Sequence, residues 1–356
     1  MAAISTVTLQ KINLEIEEAW ADSQAMIDNA ALDTATLDTM VANQKGMLAP
    51  AISVVSDPSK NYDLEVYWPD FCGQAATDCA TDPCTDLNFD QAEVEKKAYK
   101  IEQCIEDKFS VSEDDFFKSF LNKDGFIAKN INQKIANLLN RLNYKALVFL
   151  HANAGLNNGG QFTANGSGQY EVGGNAFAGT NIITKMLYDA QISRVLSPFI
   201  LDGKNLWESV MNARLNNDNG EGKGDANRTR LFGNITFDPL GFSKLADVAN
   251  STFLVSPSAY HFAHKNYIPN AVPVWDEASN KWKYSIELGR YGVKIDVFMQ
   301  RVCENAAKNL YKYNWLFKLH YDFFANPFGC ENGDGDKVTG IIEYTNTDYS
   351  GSVIGE

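Results

Sequence analysis

Between Phe126 and Leu150 the chain reads FIAKNINQKIANLLNRLNYKALVFL, with Ile127, Ile131, Ile135, Leu138, Leu139, Leu142, Ala146, Phe149 and Leu150 recurring at helical spacing. Asn, Gln, Lys and Arg fill the other face. The pattern predicts one amphipathic helix of about seven turns, roughly 35 Å long at 1.5 Å per residue. It runs into HANAGLNNGGQ, where Gly155, Gly159 and Gly160 supply stop signals.

Upstream, Ile12, Ile16, Ala19, Trp20 and Ile27 share one face of a helix predicted over 9–29, a stripe that must bury itself on its own domain or on a partner. A second short helix is expected over 33–44, before Gly46, Pro50 and Pro58 break the pattern. Residues 62–109 differ in character. YDLEVYW is strand-like, and AYKIEQCIEDKF alternates with Tyr99, Ile101 and Ile105 on one side; the polar stretch PDFCGQAATDCATDPCTDLNFD lies between them. The expectation is an extended hairpin standing off the body. Such a hairpin is a liability for a monomer and makes sense if it lies on another subunit; an ordinary surface hairpin is the alternative.

Ser112 followed by Asp115 has the signature of a helix cap and predicts a short helix within 110–120. Residues 153–179 read as a glycine-rich loop with a short strand near QYEV, and 180–195 as a helix with Ile183, Met186, Leu187 and Ala190 on one side. A helix over 206–215 leads into the polar loop NNDNGEGKGDANRTR, whose Lys223, Arg228 and Arg230 are either solvated or face an acidic partner. From 231 strands and short helices alternate. LFGNITF and STFLV are strands and GFSKLADVA a helix; SPSAYHFAHKN starts a helix with Ser256 as cap and Pro257 at its first position. VPVWDEASNKWKYSIEL reads as a hairpin turning near Ser279 and Asn280. GVKIDVFMQRVC, NWLFKLHYDFFAN and KVTGIIEYTN finish the chain as strands.

Composition narrows the function. The chain has 356 residues, 45% of them apolar, enough for a sizeable core or two subdomains. A net charge of -14 offers no basic nucleic-acid face and favours solubility. No run of 18 apolar residues suggests a membrane span. The opening MAAISTVTLQKINLEI lacks a charged leader followed by an apolar block, so no signal peptide is expected and synthesis in a reducing cytoplasm is the default. Six cysteines occur, and Cys72, Cys79 and Cys84 crowd together without the paired CxxC spacing of zinc knuckles. Plain thiols are the ordinary reading; a disulfide and a metal stay open.

Sites for catalysis are sparse. His261 and His264 form HxxH on the helix expected there, which could present two imidazoles on one face, but no third ligand lies nearby and HExxH is absent. His151 and His320 are the only other histidines, and no GxSxG elbow occurs. The glycines of 153–179 match neither phosphate-binding fingerprint. Asp334 and Asp336 lack the later Glu of a calcium loop. Asn165, Asn227, Asn234 and Asn250 lie in NxS/T sequons that carry no meaning without secretion. The expected assignment is no catalytic, cofactor-binding or metal-binding residue.

The order of elements is informative. IEDKFSVSEDDF leads into INQKIANLLNRLNYKALVFLHANAG, a strand, a short helix and a long helix with a glycine-rich end; STFLVSPSAYHFAHKN adds a strand, a small residue and proline, then a helix. This resembles the major capsid protein family of tailed phages, whose fold is shared with encapsulin shells. The resemblance is one of pattern along nearly the whole chain. It implies an α+β capsid fold with an N-terminal arm (1–58), an extended two-stranded loop (59–109), a peripheral domain (110–179 and 316–356) bearing a spine helix over 127–151, and an axial domain (180–315). It implies a non-enzymatic subunit that self-assembles, as hexamers and pentamers, into an icosahedral shell enclosing double-stranded DNA. Portal, scaffold and decoration proteins are the implied virion partners, with only weak, non-specific contact to DNA and none to membrane. A separate scaffold is implied because no long charged helical segment precedes the first helix. An encapsulin-like compartment is the alternative within the fold. An acidic carbohydrate-active or binding protein using Trp275, Trp282 and Trp315 is the alternative outside it.

Overall fold

The computed structural model describes residues 6–21, 32–44, 52–55, 62–68, 95–114, 123–155, 162–165, 168–174, 182–193, 195, 197–207, 210, 235–269, 271–288, 291–306, 310–327 and 338–348. Its helices are α1 (Thr6–Ala21), α2 (Ala35–Gln44), α3 (Lys123–Ala152), α4 (Ile182–Ile192) and α5 (Pro239–Ser243). The long amphipathic helix is α3, about 45 Å over its 30 residues. Ile127, Ile131, Ile135, Leu138, Leu139, Leu142, Ala146 and Leu150 are all buried, and Phe149 stacks on Phe323 at 5.4 Å. Just past its end, the Gly155 N–H donates to the Ile341 carbonyl, tying the terminus to a distant strand.

Two sheets flank this helix. The seven-stranded sheet contains β1 (Ile52–Val55), β4 (Gln103–Ser112), β10 (Tyr260–Asn266), β11 (Val274–Asp276), β12 (Lys281–Leu288), β13 (Val293–Asn305) and β14 (Leu310–Ala325). β14 is its axis. One edge pairs with β13 over 310–318 and then with β10 over 320–325; the other pairs with β4 over 312–321. Its odd positions, Tyr313, Trp315, Phe317, Leu319 and Tyr321, are buried in the core shared with α3, while Asn314, Leu316, Lys318 and His320 line the opposite face. α1 packs on α3 and β12, with Trp20 Nε1 donating to Asn132 Oδ1 at 3.1 Å.

The six-stranded sheet runs β5 (Thr163–Ala164), β6 (Tyr170–Val172), β15 (Ile341–Asn346), β9 (Ser251–Val255), β7 (Phe199–Asp202), β8 (Ile235–Phe237). α4 packs Ile182, Ile183, Met186 and Ala190 against its Leu254, Ile342 and Tyr344. A separate two-stranded ribbon pairs β2 (Leu64–Trp68) with β3 (Glu95–Tyr99).

α2 joins these bodies. The Leu37 N–H donates to Asn143 Oδ1 of α3 at 2.7 Å, and Thr39 Oγ1 bonds Thr236 Oγ1 of β8. Gln44 donates from Nε2 to the Phe262 carbonyl and accepts the Phe262 N–H, both at 2.9 Å, completing a two-way bond to β10.

Several expectations need correction. AYKIEQCIEDKF is not one strand: β3 ends at Tyr99, and β4 starts at Gln103 to join β14. Ser256 and Pro257 do cap a turn, with Ser256 Oγ accepting the Ser258 N–H, but that turn is three residues long (Pro257–Ala259) and β10 follows at once. Pairing with β14 and burial of Tyr260 and Phe262 on one face override the cap signal. The helix expected over 241–249 is confined to Pro239–Ser243, one turn capped by Asp238. β4 runs through Ser112, whose hydroxyl accepts the Asp114 N–H at 3.3 Å; residues 115–120 lie outside the described residues, as do 22–29 and most of 206–215.

Candidate assembly surface

The ribbon β2–β3 is anchored at its root. Leu64, Val66 and Trp68 alternate inward along β2 and pack with Tyr99 and Ile101 against Ala263 of β10 and Phe324 of β14. Trp68 Nε1 donates to the Tyr99 hydroxyl at 3.0 Å, and the Tyr99 ring lies 4.3 Å from that of Phe324. Asp63 is the pivot. Its backbone N–H bonds the Tyr99 carbonyl, its Oδ2 accepts the Ile101 N–H at 2.9 Å, and its Oδ1 accepts Lys265 Nζ at 2.5 Å in a buried ion pair. Burial disfavours the Lys265 ammonium, but the Asp63 carboxylate outweighs it and the net shift is upward. The root therefore belongs to its own subunit rather than standing off it.

The ribbon's other face is open. Tyr67 is 56% exposed, and Lys96 reaches over its ring while pairing with Glu65. Neither outer edge of the ribbon pairs with another described strand. The polar stretch between its strands, with Cys72, Cys79 and Cys84, lies outside the described residues. Among the described strands β4 pairs only with β14, which leaves a ten-residue edge open. On the sheet face away from α3, Phe298 and Leu316 lie in a shallow groove with Glu106, Lys108, Lys281 and Gln300. Tyr267, Val272, Val274 and Trp275 form an exposed apolar run, and α4 exposes Tyr188 and Ile192. These are the unpaired edges and uncovered apolar positions that association would bury.

The residues considered for chemistry fall elsewhere. His261 and His264 sit on strand β10, where a spacing of three puts them on opposite faces, not on one face of a helix. Burial holds both imidazoles down to about 4, so they are neutral core residues. His261 Nδ1 meets Gln44 Nε2 at 3.3 Å; neither ring nitrogen of His264 has a partner among the described residues. His151 Nδ1 lies 2.9 Å from Glu343 Oε2, and the same buried carboxylate accepts the Ser251 hydroxyl at 2.5 Å. The carboxylate thus separates Ser251 from His151, whereas activation of a serine needs the histidine between them. His320 lies 3.8 Å from Cys104 Sγ, and burial raises that thiol's pKa.

Trp315 is a core residue stacked on Phe109 at 4.9 Å, and Trp275 and Trp282 pair edge to face at 5.2 Å, so the three do not build a shared sugar-binding platform. Asn165 bonds Gln169 through its side chain, and the Asn250 carbonyl accepts from Asn205. Asn227, Asn234, Asp334, Asp336, Lys223, Arg228 and Arg230 lie outside the described residues. Among the described residues no three His, Cys, Asp or Glu side chains are grouped to hold a metal ion, and no helix is long and apolar enough to cross a membrane.

No protein-family model matches the chain, and no curated protein matches it. Solved structures do. The capsid asymmetric unit of cyanophage A-1(L) aligns over 89% of this chain and 94% of its own, with a TM-score of 0.50 at 14% identity. The capsid of cyanophage P-SCSP1u aligns over 85% and 92% (TM-score 0.43, 10% identity), and a structure from Mycobacterium phage Adephagia over 88% and 91% (TM-score 0.42, 11% identity). The chain has the α+β fold of a phage capsid protein, on the strength of the first of these. The fold agrees with the tailed-phage capsid resemblance that the order of elements suggests.

Proposed function

We propose that this chain is the major capsid protein of a tailed bacteriophage, a subunit that self-assembles into the icosahedral shell around a double-stranded DNA genome. The observation that carries the reading is the capsid fold extending over 89% of the chain, with little left over for a second activity. The open edges of β2–β3 and β4 support it, since neighbours in a shell would cover them.

The subunit works as building material rather than as an enzyme, in the virion capsid after synthesis in the host cytoplasm. Its partners are copies of itself in hexamers and pentamers, with portal, scaffold and decoration proteins as the other virion components. DNA is touched weakly and without specificity, as a net charge of -14 favours.

We place the domain division along the sheets. α3 with the seven-stranded sheet forms the peripheral domain, and α4 with the six-stranded sheet the axial one. A division at 315/316 would fall inside β14 and part it from β13, its ladder partner. The N-terminal arm over 1–58 lends β1 to the seven-stranded sheet, and the extended loop, rooted through Asp63, ends before β4, which belongs to the peripheral sheet rather than to the loop.

The test is size-exclusion chromatography and negative-stain microscopy of the full chain. Shells, rings or hexamers are expected; a stable monomer of 39.5 kDa at high concentration refutes the reading. Nuclease-protected DNA inside particles from infected cells, rather than a cargo enzyme, separates a capsid from an encapsulin-like compartment. Non-reducing gels of those particles test whether Cys72, Cys79 and Cys84 close a disulfide after release; only free thiols would discard it.

A further inference from the structure

Where α2, α3 and α5 meet, two carboxyl groups face each other. Asp238 caps α5, its Oδ1 accepting the Gly241 N–H at 2.9 Å. Its Oδ2 accepts Thr36 Oγ1 and Asn143 Nδ2, each at 2.7 Å, and the Thr36 N–H at 3.3 Å. Asp238 is buried and surrounded by donors, so it has every reason to stay ionised. Asp33, just before α2, lines the same cleft as Asp238, and the two carboxyl groups influence each other directly. Two carboxylates cannot hydrogen-bond without a proton between them. The Asp33 backbone N–H is fixed on Asn140 Oδ1 at 2.7 Å, and its Oδ2 accepts the Tyr144 hydroxyl at 3.2 Å, both from α3. The backbone is therefore fixed on α3, and the carboxyl cannot swing away without losing the Tyr144 bond.

We propose that Asp33 and Asp238 share one proton and form a latch that holds α2 against α3 and α5, and that loss of this proton loosens the joint between the two sheets.

The placement gives the latch its reach. α2 is bonded to α3 through Asn143, to β8 through Thr236 and to β10 through Gln44, so movement at its start is felt by both sheets. A cleft lined by Leu32, Asp33, Asp38, Phe237 and Leu240 opens beside the pair, which gives water a route to the proton. The ionisable groups facing the pair are Tyr144 from α3 and Asp38 from α2; the contacts from α5 and the rest of α2 are the Gly241 N–H and Thr36. Burial, then the bond to Asp238 and its charge, push Asp33 up to about 7. Burial opposes the charge on Asp238, but the bonds from Asp33, Thr36, Asn143 and Gly241 outweigh it and hold the group below the ordinary carboxylate value. Tyr144 is driven to about 12 by burial and the neighbouring acids, and so remains a donor throughout. Because Asp33 is raised in the folded chain, the contribution of its proton is fully present below the ordinary 3.8, is lost progressively as pH rises from there, and is gone above about 7.

The joint belongs to the subunit fold and does not depend on what the subunit assembles into. The experiment is hydrogen exchange of α2 amides in the full-length chain between pH 5.5 and 8.5, corrected for intrinsic exchange. In the wild type, protection of 35–44 is expected to fall by up to about tenfold per pH unit from pH 5.5 and to level off above about 7. In Asp33→Asn the amide donates to Asp238 at every pH, so protection stays at the acid level throughout. A carbon titration of Asp33 in carboxyl-labelled wild type reads the proton directly and does not depend on the variant folding. PH-independent protection in the wild type, an unchanged pH profile in Asp33→Asn, or titration of Asp33 at the ordinary 3.8 would each overturn the proposal.

Discussion

Replacing Trp68 by alanine tests whether the ribbon is a unit of its own, anchored on the body yet separable from it. A two-stranded ribbon has no independent stability in water, so β2 and β3 stay ordered because of what they rest on. That anchor is four buried side chains, Leu64, Val66, Trp68 and Ile101, against Ala263 and Phe324. At about 1.5–3 kcal/mol each, the gross anchoring is about 6–12 kcal/mol. Truncating a buried tryptophan removes about 3–5 kcal/mol, and here also a hydrogen bond to the Tyr99 hydroxyl and an edge contact to His261. Since the net margin is smaller than the gross sum, the ribbon should detach while α3 and the sheets remain folded. Hydrogen exchange reads this region by region. Amides of 64–68 and 95–99 should lose roughly two to three decades of protection, at about 1.4 kcal/mol per decade. Those of α3 should be unchanged, and trypsin should cut at the exposed Lys96 and Lys97. Leu139→Ala in the middle of α3 is the contrast, since it should lower protection everywhere. Ribbon amides as protected as in the wild type, or α3 losing the same factor as the ribbon, would refute the reasoning.

Three further outcomes follow from the same geometry. Asp63→Asn breaks the ion pair with Lys265 but keeps an oxygen for the Ile101 N–H; it should release the ribbon less completely than Trp68→Ala, and Lys265→Met on that background should restore part of the ribbon's exchange protection by removing the unpaired buried charge. His264 is held down to about 4 by burial, and secondarily by Lys294, so the unfolded chain takes up its proton first and stability is lost as pH falls from about 6.5 toward 4. His264→Leu should therefore raise the urea midpoint more at pH 5 than at pH 8, the difference between the two being the cost of the proton. In Gly241→Ala a Cβ would lie 2.6 Å from Asp238 Oδ2, and four hydrogen bonds hold that carboxylate in place; a loss of about 1–3 kcal/mol in urea unfolding is expected, with little effect on ribbon exchange relative to the body.

The elements that can be read from sequence are those whose pattern is long and whose partner is one continuous face. α3 keeps a 3.6-residue period from Ile127 to Leu150 because one stripe is buried there, and β14 keeps a period of two from Tyr313 to Phe323 for the same reason. The hairpin turning near Ser279 and Asn280 is local, and Asn280 indeed takes a left-handed backbone, with φ 53°. What fails is pairing across the chain. β4 joins β14 some two hundred residues away, and nothing in the alternation of EQCIEDKF around Ile105 distinguishes that partner from β2. YHFAHKN follows a strong cap signal that predicts a helix, whereas β1 and β14 hold it as a strand from both sides. The carboxyl pair left a faint trace. Asp238 followed by Pro239 is a helix-start signal, but its partner Asp33 is separated by two hundred residues and shows nothing beyond an acid before a helix.

The joint between the sheets is polar where the sheets themselves are apolar, and the difference has a physical reason. α2 has ten residues, too few to hold a helix in water, and two of its five buried side chains are Thr36 and Gln44. An apolar joint of this size would be held by area alone, which is non-directional and tolerates sliding. Thr36 on Asp238, Leu37 on Asn143 and Gln44 on Phe262 instead fix the helix at three points along its length, each with a donor and an acceptor that match in one register only. Such a joint is stiff while every partner is satisfied and weak once one is lost, because the remaining buried groups are then left unpaired.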